Sequence, residues 1–213
     1  MLTQKGRLYR DVEVRVLTDA QATKDEVLDG LDWLQRQVTS RDVGMLFLAG
    51  HGVNDRAGLY YYLPVNADVD RLKRTGVPFS DIKNTLTSLA GKAVFFVDTC
   101  HAANVMGGQR REVRDLTAVV NDLTSAENGV VVFASSTGRE YSLESDEWRN
   151  GAFTKALVEG VMGKADYGHT GTITHKKLDL YLAERVKELT RGRQSPVNTS
   201  PRGVPDFPIA LVK

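Results

Sequence analysis

The chemistry of this sequence is concentrated at the ends of two short apolar runs, Phe47-Leu48-Ala49-Gly50-His51-Gly52 and Phe96-Val97-Asp98-Thr99-Cys100-His101. Cys100 is the single cysteine of the chain. A thiol and an imidazole are the parts of covalent cysteine catalysis: the thiolate attacks, and the imidazole takes its proton and returns it to a leaving amine. In an open parallel sheet, reactive groups gather at the carboxyl ends of the strands. If the two runs are neighbouring parallel strands, His51 and Cys100 share one crevice. The backbone N–H groups of Gly52 and Cys100 could then line an oxyanion hole. Taken singly, each residue has a plainer reading, since a buried cysteine is often an inert small hydrophobe and a histidine after a strand is often structural. Their joint placement at two strand ends favours catalysis. His101 follows Cys100 directly; neighbours on a strand face opposite ways, so it reads as a supporting group. One cysteine and four scattered histidines give no metal-ligand spacing, so neither metal nor other cofactor is expected.

The elements that would carry these groups follow from periodicity. Val12 to Leu17 alternates with period two and predicts a strand with one covered face. Thr23 is placed to cap a helix carrying Val27, Leu28, Leu31, Leu34 and Val38 at helical spacing, with acidic Asp25 and Glu26 in its first turn. Val43 to Ala49 is a continuous apolar run, as in a parallel strand buried on both faces. A short strand or hairpin is expected at Leu59 to Leu63, ended by Pro64. Ser80 is a candidate cap for a helix with Ile82, Leu86 and Leu89. Buried strands are expected at Ala93 to Val97 and Gly129 to Ala134, and helices near Gly151 to Met162 and His175 to Thr190. The tail from Gln194 to Pro208 is rich in Pro, Ser and Gly and reads as extended, with Pro208 to Val212 a final edge strand. Strands alternating with helices give an α/β protein with a mostly parallel central sheet flanked by helices. Ala102 to Asp122 stands apart as an exposed loop directly after Cys100, with basic Arg110, Arg111 and Arg114.

The chain as a whole sets limits. Its 213 residues fit a single domain with one substantial core. With 28 basic and 27 acidic residues, no global field favours nucleic acid or an anionic membrane. No apolar run approaches the ~20 residues that span a bilayer, and Met1 to Gly6 has no signal-peptide core, so a cytoplasmic protein is expected.

At these residues the chain resembles the caspase-like cysteine peptidases, most closely the bacterial, metacaspase-type members. Besides the two runs, the likeness includes Tyr61-Tyr62-Leu63-Pro64-Val65-Asn66-Ala67, Phe133-Ala134-Ser135-Ser136 and Asn150-Gly151-Ala152-Phe153-Thr154. Cys100 lies 49 positions after His51, close to the spacing of the caspase signature. The resemblance implies a caspase-hemoglobinase fold, peptide-bond hydrolysis in protein or peptide substrates, and a His51–Cys100 dyad. Caspases carry Gln two residues before the cysteine, whereas metacaspase-type enzymes place an Asp there, in the S1 pocket, and cleave after Arg or Lys. Asp98 occupies that position, and a carboxylate at a pocket floor pairs a cation and repels an anion. Glu144 and Ser135 fall where similar enzymes complete that pocket. The plainer reading of Asp98 is an acid that caps a turn or orients a neighbour, and that of Glu144 a solvated loop acid. The resemblance also implies processing within Ala102 to Asp122, with Arg110, Arg111 and Arg114 as candidate sites.

Two departures accompany the likeness. The family's first strand lies between the neighbours that correspond to Val12–Leu17 and Val43–Ala49, and nothing in Met1 to Asp11 is apolar enough to supply it. The expectation is a domain lacking its first strand, N-terminally incomplete, with an upstream segment or fused domain of the same protein as its partner. Calcium activates some relatives, but Asp166 to Ile173 has Gly168 and Thr170 where EF-hand ligands belong and Lys177 where the bidentate Glu would be, so it reads as a turn. The alternative to an active peptidase is a weakly active or inactive caspase-like regulatory module. A flavodoxin-like binding domain ranks lower, because no strand is followed by a Gly-rich phosphate loop.

Overall fold

The computed structural model describes residues 4–101, 123, 129–136, 144–145 and 150–212; for residues 100, 101, 144, 145 and 150 it describes the backbone. Its sheet is built around three parallel strands, β1 (Val43–Asn54), β4 (Lys92–His101) and β5 (Val130–Ala134). Short antiparallel strands complete both rims: β2 (Tyr60–Leu63) and β3 (Val77–Pro78) beyond β1, and β9 (Val197–Thr199) beyond β5. The order is β3-β2-β1-β4-β5-β9.

Helices cover both faces, which is why the central strands read as unbroken apolar runs. On one face, α1 (Lys24–Gln37) and α3 (Phe79–Ser88) bury Val27, Leu31, Leu34, Ile82 and Leu86 against Leu48, Phe95, Val97 and Val132. Thr23 caps α1, its side chain accepting from the Glu26 N–H. A single turn, α2 (Leu72–Thr75), precedes β3. On the other face, α4 (Ala152–Glu159) and α5 (His175–Thr190) bury Phe153, Leu178 and Leu182 against Phe96 and Phe133, which stack at 5.1 Å. A π-helical turn, Gly160–Lys164, extends α4.

Several expectations are corrected. Val12 to Leu17 is not a strand; Val14 and Val16 are 50% and 64% exposed. A strand persists only where a neighbour takes its backbone donors and acceptors, and this segment has none among the described residues. The same lack shows on β1. Along Val43–Gly50 it pairs with β4 on one side, whereas β2 reaches only His51 to Asn54 on the other. Phe47, on that stretch, is 43% exposed. Ser80 does not cap α3: the helix begins at Phe79 after Pro78, and the Ser80 hydroxyl turns to Asp81. Pro208–Leu211 does form a strand, β10, but it pairs with β8 (Thr172–Thr174) in a separate ribbon. The edge beside β5 belongs to β9, within the tail read as merely extended.

Asp166 to Gly171 is a turn organised around one carboxylate, and it leads directly into β8 at Thr172 and Ile173. Asp166 accepts from the N–H groups of Thr170 and Gly171, from the Thr170 hydroxyl, and from the Lys177 ammonium at 2.8 Å. The Lys177 ammonium thus stands beside the carboxylate where a bound cation would have to sit. With the Gly171 and Thr170 donors, it holds the Asp166 carboxyl well below the usual range despite burial. Among the described residues no helix is long and apolar enough to cross a membrane.

Candidate active site

β1 runs past the apolar run that announces it, through Gly50-His51-Gly52, because both neighbours hold it there. β4 pairs with it in parallel register from Val43↔Lys92 to Gly52↔His101, and β2 pairs with His51 to Asn54. In that register His51 lies directly opposite Cys100. Adjacent strands are separated by about 4.8 Å, so the His51 and Cys100 positions are brought together toward the carboxyl ends of neighbouring parallel strands. His51 is exposed there.

The two glycines flanking His51 are explained by what lies beneath them. Gly50 has φ +145°, a conformation open to glycine, and the Tyr62 ring lies under it. A Cβ on Gly52 would fall inside the Tyr60 ring. The Tyr62 hydroxyl donates to the Ala49 carbonyl at 3.1 Å. Tyr60 passes under Gly52 and bonds the Thr99 hydroxyl at 2.9 Å, both residues being buried. One side chain from β2 thereby reaches under the histidine strand to the residue before Cys100. Tyr60 has no place in the sequence reading of the site, and Tyr62 enters it only within the likeness; the signal for both is the Tyr60-Tyr61-Tyr62 run facing two glycines.

Asp98 is two residues before Cys100 and 7% exposed. Its Oδ2 accepts a 2.6 Å hydrogen bond from Thr154 in the first turn of α4. Gly151, just before α4, comes so close that a Cβ would sit 2.8 Å from the same oxygen. Glu144 lies in β6 (Glu144–Ser145), directly opposite Gly151 of β7 (Asn150–Gly151). The two acids singled out from the sequence are therefore gathered at one place, Asp98 against Gly151 and the Glu144 backbone across from it. Ser135 follows β5 and is fully buried. Its N–H donates to the Val97 carbonyl, and its carbonyl accepts from Gln194, also fully buried. Gln194 braces this turn from the tail after α5, a role its place in a polar, Pro-rich segment did not announce. Gly52 lies between His101 of β4 and Tyr62 of β2. Arg110, Arg111, Arg114 and the rest of the 102–122 loop lie outside the described residues.

The family model for the caspase domain matches residues 4–206. The chain belongs to the caspase-domain family of peptidases. A crystal structure of protein GSU0716 from Geobacter sulfurreducens is similar in fold, with a TM-score of 0.62 at 16% identity, covering 94% of this chain and 83% of that one. No curated protein matches. The six-stranded sheet with helices on both faces is the caspase-like architecture, and His51 and Cys100 fall toward its strand ends.

Proposed function

We propose that the protein is a cysteine endopeptidase that cleaves after Arg or Lys. The observation that carries this reading is the register of His51 against Cys100 at adjoining strand ends. His51 takes the thiol proton, and the Cys100 sulfur attacks the scissile carbonyl carbon. The oxyanion that forms is met by the N–H groups of Cys100 and Gly52. His51 then protonates the leaving amine, and water hydrolyses the thioester. The buried Asp98 carboxylate, with Glu144 nearby, supplies the negative charge that selects a basic side chain before the scissile bond. Arg110, Arg111 and Arg114 follow the nucleophile in sequence and are substrates of the same chemistry, so self-processing belongs to this proposal.

The test is hydrolysis of fluorogenic peptides carrying Arg, Lys or Asp before the reporter, with Cys100→Ala as control. The expected result is turnover of the Arg and Lys peptides by wild type alone, with fragments ending at one or more of the three arginines. Turnover of the Asp peptide alone would refute the specificity; equal rates for wild type and Cys100→Ala would refute the enzyme. A second reading, a caspase-like module without activity of its own that works within a longer protein, is favoured by the pairing of β1 along Val43–Gly50 with β4 alone among the described residues. It predicts no turnover of any of the three peptides.

A further inference from the structure

We infer that Thr154 is a positioning residue for substrate selection, holding the Asp98 carboxylate so that one oxygen is committed to α4 and the other is left for a basic side chain. This rests on the endopeptidase reading and adds to it a function for Thr154, a residue inside the likeness to which the likeness assigns none. The Thr154 hydroxyl donates to Oδ2 at 2.6 Å. Gly151 approaches the same oxygen more closely than Oδ1, at 2.8 against 3.5 Å from an ideal Cβ. Among the described residues Oδ1 has no hydrogen-bond partner.

The terminal torsion of an aspartate is broad, so a carboxylate without a fixed donor samples many orientations. A buried one is also drawn toward the unpaired N–H groups of a nearby helix start. Asp98 sits beside the start of α4, so both hazards apply. A hydroxyl donor in the first turn removes them: it occupies Oδ2 and fixes the carboxylate plane. A hydroxyl is suited to this because it is neutral, leaving the charge of Asp98 to attract a substrate cation. Gly151 is the complementary requirement, since any side chain there would press on the committed oxygen. The alternative is that the bond merely ties β4 to α4. The two differ in what they move: a tie supports the whole strand, including Cys100, whereas a positioning bond acts on recognition of the basic residue.

The experiment compares wild type, Thr154→Val, Thr154→Ala and Thr154→Ser in two assays. One measures KM and kcat on Arg and Lys peptides; the other measures alkylation of Cys100 by iodoacetamide, which needs no pocket. Loss of a hydrogen bond to a charged group predicts a KM about tenfold higher in Thr154→Val, with kcat changed far less. Thr154→Ser should restore KM, and alkylation should be the same in all four proteins. If Thr154→Val does not fold, Thr154→Ala takes its place in the comparison. Unchanged KM in the variant lacking the hydroxyl overturns the inference while leaving the peptidase reading intact. So does a parallel fall in kcat and alkylation. Wild type that cleaves neither peptide overturns both.

Discussion

Gly52→Ala adds one methyl group next to the proposed catalytic histidine, and the structure predicts that it is felt through Tyr60. The new Cβ would occupy the position of the Tyr60 ring, so the ring must leave. Tyr60 is 8% exposed, bonds Thr99 at 2.9 Å and packs edge-on against Phe79 at 6.3 Å. Overpacking of a filled core costs ~1–3 kcal/mol. The lost hydrogen bond adds ~1 kcal/mol and the lost aromatic pair ~0.5–1.5 kcal/mol. The sum is about 3–5 kcal/mol, a large share of the ~5–15 kcal/mol that holds a domain folded. Urea unfolding followed by circular dichroism measures it. A double-mutant cycle isolates the cause: Tyr60→Ala makes room for the methyl, so Gly52→Ala should cost little in that background. A penalty below ~1 kcal/mol for Gly52→Ala, or the same penalty with and without Tyr60, would refute the packing account.

Two further predictions concern pH. Glu159 gathers Arg185, Lys164, Lys155 and the Tyr181 hydroxyl. Burial opposes its ionisation, but these donors outweigh it and bring the carboxyl from 4.5 down to about 2. A folded value below the unfolded one means stability that is fully present above pH ~4.5 and lost as pH falls toward 2, worth ~2 kcal/mol after solvent screening. Glu159→Gln should flatten that acid limb in thermal melts, and an unchanged limb would contradict the reading. His175 is 1% exposed, accepts the Phe207 N–H at Nδ1 and meets Ser200 at Nε2. Burial lowers its pKa below 6.5, against the opposing pull of Asp206. Its neutral form is therefore the folded one, and stability declines as pH drops below ~6.5 toward the folded value. His175→Phe should remove that part of the slope; a slope retained in the variant would assign it elsewhere.

What the sequence made legible was whatever a single segment decides. The spacing of Leu178, Leu182 and Val186 is enough to define α5, and the apolar run before His51 is enough to define a strand. Elements that need a distant partner were misread or missed. Val12 to Leu17 has a strand's alternation but no neighbour among the described residues to pair with. Val197–Thr199 has weak strand character and becomes β9 because β5 offers it an edge. The same division runs through the site. Cys100 and His51 stood out by residue type and position, and Asp98 through the likeness. Tyr60, Thr154 and Gln194 act across β2–β4, α4–β4 and tail–β5 contacts, which only the register and packing reveal.

Alkylation of the single cysteine by iodoacetamide, followed by mass spectrometry in wild type and His51→Ala at neutral pH, tests the dyad most directly. With one thiol in the chain, every adduct reports Cys100. An imidazole within reach raises the thiolate fraction, so wild type should react severalfold faster than His51→Ala. Equal rates in the two proteins would show that His51 does not act on Cys100, and would contradict the account.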